Sequence, residues 1–229
     1  IATKNGVIKK TSLASYANIN KNGLIAVNIR EEDALVDASL TTAEQEIMLV
    51  TKNGKAIRFK ADDVRAMGRN STGVRGIKLV GDDEVVGMVP VTEDGELLVI
   101  SRKGMGKRTT LDGYKTQHRG GTGLITYKTT EKTGELVGCT LVGDDKDLLI
   151  VTDSGVVIRL ATSEIPTLSR ATSGVKLMRA NDASIVDFAI VDHFEEEEDA
   201  TITEEGEESV SDVASEAVTP SEDASEDNQ

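Results

Sequence analysis

Short runs of apolar residues, each bounded by turn-forming residues, recur along most of the chain. Residues 47–50 are apolar and precede an Asn-Gly pair at 53–54, and in residues 56–60 apolar and basic positions alternate. Alternation with a period of two is typical of a half-exposed strand, and Asn-Gly favours a tight hairpin. Further apolar runs at 73–80 and 84–89 predict two more strands. The pattern therefore predicts an all-β chain.

This pattern occurs four times, with steps of 48 to 51 residues. Three landmarks share the spacing: a hairpin glycine (Gly6, Gly54, Gly104, Gly155), a second glycine (Gly23, Gly73, Gly123, Gly174) and an apolar strand centred on Val36, Val86, Val137 or Val186. Units of about fifty residues with four short strands each predict a propeller-like fold. We number these repeats 1 to 4, with approximate bounds 1–45, 46–95, 96–146 and 147–194. Connectors such as 12–16 and 61–67 have room for a helical turn only.

The charge is distributed unevenly between the repeats and the end of the chain. The formal net charge is −14, from 26 basic and 40 acidic residues, but residues 195–229 hold 15 of the acids and no Lys or Arg. Residues 1–194 therefore carry 26 bases against 25 acids. The stretch 195–229 is rich in Ser, Thr, Glu and Asp and has no aromatic residue, so we expect it to form a disordered acidic tail.

Basic residues occupy fixed places in the repeat. Four residues after each hairpin glycine comes Lys10, Arg58, Arg108 or Arg159, and four residues before the second glycine comes Arg69, Arg119 or Arg170, with Lys21 near that place in repeat 1. A base at one position of every blade makes a curved track of positive charge, which suits the phosphates of duplex DNA. Any one of these side chains could simply be solvated, but acids do not share the two positions. The predicted DNA-binding set adds neighbouring bases: Lys9, Lys10, Lys21, Arg58, Lys60, Arg69, Arg75, Lys107, Arg108, Arg119, Arg159, Arg170 and Lys176.

Several other classes of function are disfavoured by composition. Recognition of RNA or single strands relies on aromatic stacking, and this chain has three Phe, three Tyr and no Trp. The single cysteine, Cys139, excludes an intrachain disulfide and a cysteine-based zinc site. Glycine-rich stretches near 104–109 and 121–123 lack the residues that phosphate loops and dinucleotide sites require. Aspartate pairs at 82–83 and 144–145 are typical of turns. We predict no catalytic residue and no metal site.

Four strings resemble the DNA gyrase A family: NGVIKKT at 5–11, VRAMGRNSTGVRGI at 64–77, GMGKRT at 104–109 and TDSG at 152–155. The acidic ending resembles that family too. The resemblance implies a β-pinwheel, in which blades exchange a strand with their neighbours and duplex DNA wraps the outer edge. It also implies a type II topoisomerase that introduces negative supercoils, with ATP and Mg²⁺ used by other domains and no cofactor in this part.

The same resemblance implies partners and a location. The expected partners are duplex DNA, the rest of gyrase A as a homodimer, and gyrase B in an A₂B₂ heterotetramer, with no membrane. The expected location is the bacterial cytoplasm, in association with the nucleoid. Since the chain starts at Ile1 within a predicted strand and the family usually has six blades, we expect an N-terminal truncation that leaves the last four.

One motif departs from the family pattern. The family's box reads Gln-Arg-Arg-Gly-Gly-Arg-Gly and belongs to the first blade. The nearest string here lies in repeat 3 and differs at two positions; it consists of Gln117, His118, Arg119, Gly120, Gly121, Thr122 and Gly123. The counterpart of gyrase A in topoisomerase IV, which has the same fold, stays open as an alternative. So do a propeller scaffold for proteins and an enzyme that uses a central channel.

Overall fold

The structure is a computed structural model that describes residues 1–92, 94–179 and 183–193. The predicted acidic tail, 195–229, lies outside the described residues. Fifteen strands are assigned within the described part: β1 (Ala2–Thr3), β2 (Val7–Ile8), β3 (Leu35–Asp37), β4 (Glu46–Thr51), β5 (Lys55–Lys60), β6 (Val74–Arg75), β7 (Val85–Pro90), β8 (Glu96–Ser101), β9 (Met105–Thr109), β10 (Leu124–Ile125), β11 (Leu136–Val142), β12 (Lys146–Thr152), β13 (Val157–Ala161), β14 (Val175–Lys176) and β15 (Ile185–Asp192). The predicted all-β class is confirmed.

The connectors after the hairpins form single 3₁₀ turns, as the sequence predicted. They span Leu13–Tyr16, Ala61–Asp63, Leu111–Gly113 and Thr162–Glu164. Each of the last three turns leads into a buried residue, Val64, Tyr114 or Ile165, which enters the core between two neighbouring sheets. The turns therefore anchor each connector to the preceding repeat.

Each of the first three sheets combines strands from two successive repeats. The strand orders are β3-β1-β2-β6, β7-β4-β5-β10 and β11-β8-β9-β14, and every pairing is antiparallel. The last strand of each order, which we call the exchanged strand, comes from the following repeat. The fourth sheet, β15-β12-β13, has three strands among the described residues. The implied strand exchange of a pinwheel is thus present.

The exchanged strands are shorter than the sequence predicted. The apolar run at 73–80 was expected to form one strand, but only Val74–Arg75 pairs with β2. The amides of Gly76 and Ile77 donate instead to the carbonyl of Gly6, at 2.8 and 3.2 Å, so the chain leaves the ladder and caps the neighbouring hairpin turn. A buried backbone amide needs an acceptor, and the hairpin carbonyl supplies it.

The core lies between successive sheets, as three apolar clusters. Ile47 and Leu49 of β4 pack in the first cluster, whereas Met48 and Val50 pack in the second. Neighbouring side chains on a strand point to opposite faces, so a strand buried on both faces must be apolar throughout. This explains why residues 47–50 form a continuous apolar run. At the edges opposite the exchanged strands, β3, β7, β11 and β15 adjoin one another in order.

The second glycine of repeats 2, 3 and 4 lets the exchanged strand approach its acceptor. Gly123 has φ +69°, and a Cβ built on it would lie 2.5 Å from the carbonyl oxygen of Ala56. Gly23, at the same repeat position with φ +76°, has no atom within 4 Å of its Cβ position. The two glycines share a left-handed backbone and differ in crowding, which makes them a matched pair.

We predict that Gly123→Ala destabilises the protein far more than Gly23→Ala. At Gly23 only the left-handed backbone is penalised, at about 1 kcal/mol, while at Gly123 the clash with the acceptor strand adds about 2–3 kcal/mol. Urea unfolding of both variants measures the difference. Equal losses in the free energy of unfolding would mean that strand exchange does not require glycine there.

Candidate nucleic-acid interface

The bases four residues after the hairpin glycines lie at the junctions between repeats. Arg58 on β5 donates from Nε to Oε2 of Glu46 at 2.6 Å and from Nη1 to the carbonyl of Leu111, in the next repeat, at 3.1 Å. The hydroxyl of Thr116 donates to the other oxygen of Glu46, at 2.6 Å. One arginine and one carboxylate thus tie two repeats together. We call this arrangement the junction node.

The junction node recurs in the next repeat and, with a lysine, in the first. Arg108 is 7% exposed, donates to the carbonyl of Ile165 at 2.8 Å and lies 3.4 Å from Glu96, whose carboxylate accepts from Thr167 at 2.7 Å. Lys10 donates to the carbonyl of Ala61 at 2.9 Å. The carbonyl acceptors again belong to the following repeat.

In the last repeat a histidine takes the place of the threonine. Arg159 donates to Asp147 at 2.6 Å, and His193 lies with Nδ1 2.7 Å from the other carboxylate oxygen. The hydrogen bond to His193, together with that from Arg159, holds the pKa of Asp147 below its usual range. The node is therefore completed within the repeat itself.

Two more of the predicted bases are buried. Lys107 is 0% exposed, and its Nζ donates to the carbonyls of Ser169 and Arg170 at 2.7 and 2.6 Å. Lys9 is 3% exposed and donates to the carbonyls of Ala26, at 2.6 Å, and Arg69. The sequence placed Lys9, Lys107 and Arg108 on the surface, whereas the fold encloses them because they satisfy backbone carbonyls of the following repeat. That any base of the junction nodes, or either buried lysine, also contacts DNA phosphate stays a prediction.

The arginines before the second glycine lie in the turns that precede the exchanged strands. Arg119 donates from Nη1 to the carbonyl of Arg75 at 3.0 Å, and Arg170 donates to that of Ile125 at 2.7 Å. Arg69 donates to Ile25 at 3.1 Å. We call residues 69–73, 119–123 and 170–174 the arginine turns. Each of these half-buried side chains therefore links the turn of its own repeat to a backbone carbonyl of the repeat before it.

The sequence prediction missed a third basic position. Lys78, Lys128 and Arg179 each follow a second glycine by five residues, and all three are exposed. The amide of Lys78 donates to the carbonyl of Gly121 at 2.8 Å, and that of Lys128 to Thr172 at 3.0 Å, so each lies beside the next arginine turn. The repeat spacing that located the arginines would have found them too. We call the arginine turns and these three bases the rim.

The remaining predicted bases lie at the surface. Lys21, Lys60, Arg75 and Lys176 are exposed, and Arg75 and Lys176 belong to exchanged strands. Arg75 and Arg119 are brought together from two repeats by the bond between them. In successive repeats the fold thus places a series of bases on or next to the exchanged strand at one edge of a sheet. They are Arg75, Lys78, Arg119, Lys128, Arg170 and Lys176.

The box-like motif forms the arginine turn of repeat 3. The backbone amide of Gln117 donates to the carbonyl of Arg58 at 2.7 Å, and that of Gly120 donates to the carbonyl of Gly76 at 2.6 Å. His118 is fully exposed beside this turn, with Nδ1 3.7 Å from Asp63. Both glycines of the pair are in ordinary van der Waals contact with the preceding repeat: the Cβ position of Gly121 is 3.6 Å from Ile57, and that of Gly120 is 3.6 Å from the carbonyl of Arg75. The motif thus lies flat on the preceding repeat.

Other chemistry has little support in the part of the chain that the structure describes. Its His, Cys, Asp and Glu side chains form no group of three or more placed to hold a metal ion. Asp83 accepts from the amides of Asn53 and Glu84, at 3.0 and 2.9 Å, which is the turn role that the sequence predicted. Within the same described residues, no helix has the length and apolar character to cross a membrane. Cys139 is partly buried against the second apolar cluster, and this desolvation raises the pKa of its thiol to about 12.

Comparison with known proteins gives a consistent result. The family model described as "DNA gyrase C-terminal domain, beta-propeller" matches residues 1–42, 45–92, 95–142 and 146–192. The DNA gyrase A protein of Halalkalibacterium halodurans is 56% identical over 206 residues, which cover 89% of this chain and 25% of that protein. The Clostridium acetobutylicum gyrase A is 49% identical over 181 residues, or 79% of this chain and 22% of that protein. The chain thus spans about a quarter of the length of these relatives.

Two solved structures share the fold. A DNA gyrase A C-terminal domain has a TM-score of 0.75 and 26% identity, with 82% of this chain and 64% of that chain covered. A C-terminal domain of DNA topoisomerase IV has a TM-score of 0.79 and 24% identity, with 83% and 60% covered. The second likeness, at that identity, concerns the fold alone.

We predict that Arg58→Met lowers the free energy of unfolding by about 3 kcal/mol, because it leaves Glu46 half-buried without its ion pair. Burial opposes ionisation of Glu46, but hydrogen bonds from Thr116 and Arg58 outweigh it and lower the pKa of that carboxyl. The ion pair therefore contributes its full stability at pH values above the usual glutamate pKa. That contribution is lost as pH falls through the lowered pKa of Glu46 in the folded protein. The penalty of Arg58→Met should shrink over that range.

Urea unfolding from pH 7 to pH 3 measures this penalty, with Arg75→Met, at an exposed position, as the control that changes stability by less than about 0.5 kcal/mol. A penalty that stays constant with pH would contradict an ionic node.

Proposed function

The chain belongs to the DNA gyrase C-terminal domain family, and we propose that residues 1–194 bind duplex DNA along the rim and bend it around the repeats. The observation that carries this proposal is the recurrence of exposed or half-buried bases at equivalent rim positions in successive repeats. Duplex DNA carries a negative charge about every 1.7 Å along its axis, and binding releases condensed counterions. A curved basic edge can hold a bent duplex by phosphate contacts alone.

The division of labour among the bases supports the rim as the binding surface. The junction nodes use the guanidinium groups of Arg58 and Arg108 for carboxylates and carbonyls of the protein, so these donors are already engaged. At the rim, Arg69 and Arg170 each donate from Nη1 to one carbonyl, and Arg119 donates from Nε and Nη1 to two. Lys78, Lys128 and Arg179 are exposed. A guanidinium has five N–H donors, so a carbonyl contact leaves others for phosphate.

For the whole protein we propose DNA gyrase A, the part of a type II topoisomerase that forms a homodimer and works with gyrase B in an A₂B₂ heterotetramer. In that assembly, wrapping would present a second duplex segment for passage and make ATP-driven supercoiling negative. ATP and Mg²⁺ would be used by other domains, and the site of action would be the bacterial cytoplasm and nucleoid. Gyrase is favoured over topoisomerase IV because two gyrase A proteins are 49% and 56% identical to this chain over the matched residues.

The first test is the dependence of binding on duplex length. Wrapping predicts that the affinity of this chain rises with duplex length over several helical turns, as more of the rim is engaged. A gel shift with duplexes of increasing length measures it. A propeller scaffold for proteins would show no affinity that depends on length and salt.

We predict that the triple variant Lys78→Gln, Lys128→Gln, Arg179→Gln reduces the salt dependence of DNA binding. Each lost phosphate contact lowers the slope of log K against log salt by about 0.9, with little sequence preference. The control removes three lysines that contact groups of the protein: Lys4 with Glu84 at 3.0 Å, Lys52 with Asp82 at 3.6 Å, and Lys103 with the carbonyl of Glu131. Equal slopes for the two triple variants would argue against rim contacts.

We further propose that residues 195–229 form a separate acidic tail that competes with DNA for the basic rim. The tail carries 15 carboxylates and no base, and tethering can raise an effective concentration to the millimolar range. A role in solubility alone is the competing explanation.

Competition predicts that deletion of 195–229 tightens DNA binding, most strongly at low salt where screening is weakest. It also predicts that the tail peptide, added in excess, weakens binding by the deleted protein. Titration of a labelled duplex with both proteins measures the effect. Identical affinities at low salt would leave the tail a solubility role only.

A further inference from the structure

A buried lysine lies beneath the arginine turn of repeat 4. The side chain of Lys107 is 0% exposed, and its Nζ is 2.7 Å from the carbonyl oxygen of Ser169 and 2.6 Å from that of Arg170. An ammonium in such a place is costly unless hydrogen bonds compensate it. The two carbonyls that compensate it belong to the residue that carries the rim guanidinium and to its predecessor.

The arrangement occurs a second time, two repeats away. Lys9, like Lys107, lies three residues after its hairpin glycine and is buried at 3% exposure. Its Nζ donates to the carbonyl of Arg69, the rim arginine of repeat 2, and to that of Ala26 at 2.6 Å. The same repeat position thus contacts the equivalent carbonyl in both cases.

The other two repeats have isoleucine at this position. Ile57 lies beneath the arginine turn of repeat 3, where its Cδ1 is 3.6 Å from the Cβ position of Gly121. Ile158 occupies the position in repeat 4. A buried charge therefore lies under the arginine turns of repeats 2 and 4, and an apolar side chain under that of repeat 3. Lysine is not needed to fold a repeat, since isoleucine fills the place twice.

We propose that Lys9 and Lys107 are positioning residues for DNA: each fixes an arginine turn of the rim and adds a buried positive charge that strengthens phosphate binding there. The inference rests on the proposed function. Lys107 donates to the backbone carbonyl of Arg170, and the guanidinium of Arg170 donates to the carbonyl of Ile125 at 2.7 Å, so the residue is fixed at its backbone and at the end of its side chain. A charge in a low-dielectric interior is screened less than a surface charge and acts on a nearby phosphate more strongly.

The protonation state of Lys107 separates its two contributions. Burial, together with the charge of Arg170, lowers the pKa of Lys107 to about 8. Arg170 faces the ammonium from the turn, and on the adjacent strand the paired residue is the apolar Val99. A neutral amine has two N–H donors and a charged one has three. Deprotonation can therefore keep both carbonyl contacts and remove only the charge.

DNA binding and protein stability should respond to this titration in opposite directions. Above about pH 8 the folded protein loses the proton while the unfolded chain keeps it up to its ordinary lysine pKa, so stability rises with pH in that interval. A bound phosphate favours the charged lysine, so DNA affinity falls over the same interval. A lysine that served the fold alone would not produce that fall.

The experiment compares the full chain with Lys107→Met and with Lys9→Met/Lys107→Met, using a labelled duplex at fixed low ionic strength from pH 7 to pH 9. These limits lie above the usual titration of histidine. If DNA raises the pKa of Lys107 by about half a unit, wild-type affinity falls about 2.5-fold across the range. Lys107→Met binds more weakly at pH 7 and shows a flatter profile, and the double variant binds more weakly again at pH 7.

Ile158→Met is the matched control, because it introduces the same side chain at the same repeat position. Its pH profile should follow the wild type. Thermal unfolding at each pH establishes that the variants are folded in the binding assay. If a variant unfolds, the test uses the wild-type protein alone. Its DNA affinity must then fall with pH while its stability rises.

Three results would overturn the inference. They are wild-type affinity that does not fall between pH 7 and pH 9, a Lys107→Met affinity equal to wild type at pH 7, and a Lys107→Met profile parallel to wild type. Failure of the proposed function looks different, since wild-type protein would then show no salt-dependent affinity for duplex DNA at any pH.

Discussion

Backbone hydrogen bonds between one repeat and the next determine how this molecule is built. The second strand of each hairpin, β2, β5 or β9, would be a sheet edge if its own repeat were alone. Unpaired edges are costly or prone to association, and here the following repeat covers them with a short strand. The crowding at Gly123 and the anchoring of Tyr114 in the core both follow from that contact. Neighbouring repeats therefore depend on one another for a complete sheet.

The same dependence sorts the basic residues into two groups. Arg58 and Arg108 lie where one repeat meets the next, and they pair with carboxylates and donate hydrogen bonds to carbonyls at the junction. The rim bases lie in the turns before the exchanged strands and in the segments that follow them, beside one edge of each of the first three sheets. A near-neutral body can thus carry a basic edge, because many of its other bases are used in internal ion pairs. Net charge alone would have concealed this division.

Much of the fold could be predicted from local sequence, because hairpin turns and strand alternation are local properties. The role of Arg58 could not, since its acceptor is the carbonyl of Leu111 and a carbonyl leaves no trace in sequence. The burial of Lys107 did have a signal: Ile57 and Ile158 stand at its repeat position, which marks an inward-facing place. Lys78, Lys128 and Arg179 were equally available from the repeat spacing. These signals lie at repeat positions other than the two that carry the conspicuous series of bases.

Strand exchange also sets an order for folding during synthesis. Chains fold from the N-terminus as they emerge from the ribosome. The sheet built on β4 and β5 cannot be completed until β10 has been made, and the sheet built on β8 and β9 must wait for β14. A growing chain would therefore carry one open edge at a time, which moves forward by one repeat as each is translated. A pause in translation within a repeat would prolong the exposure of that single edge.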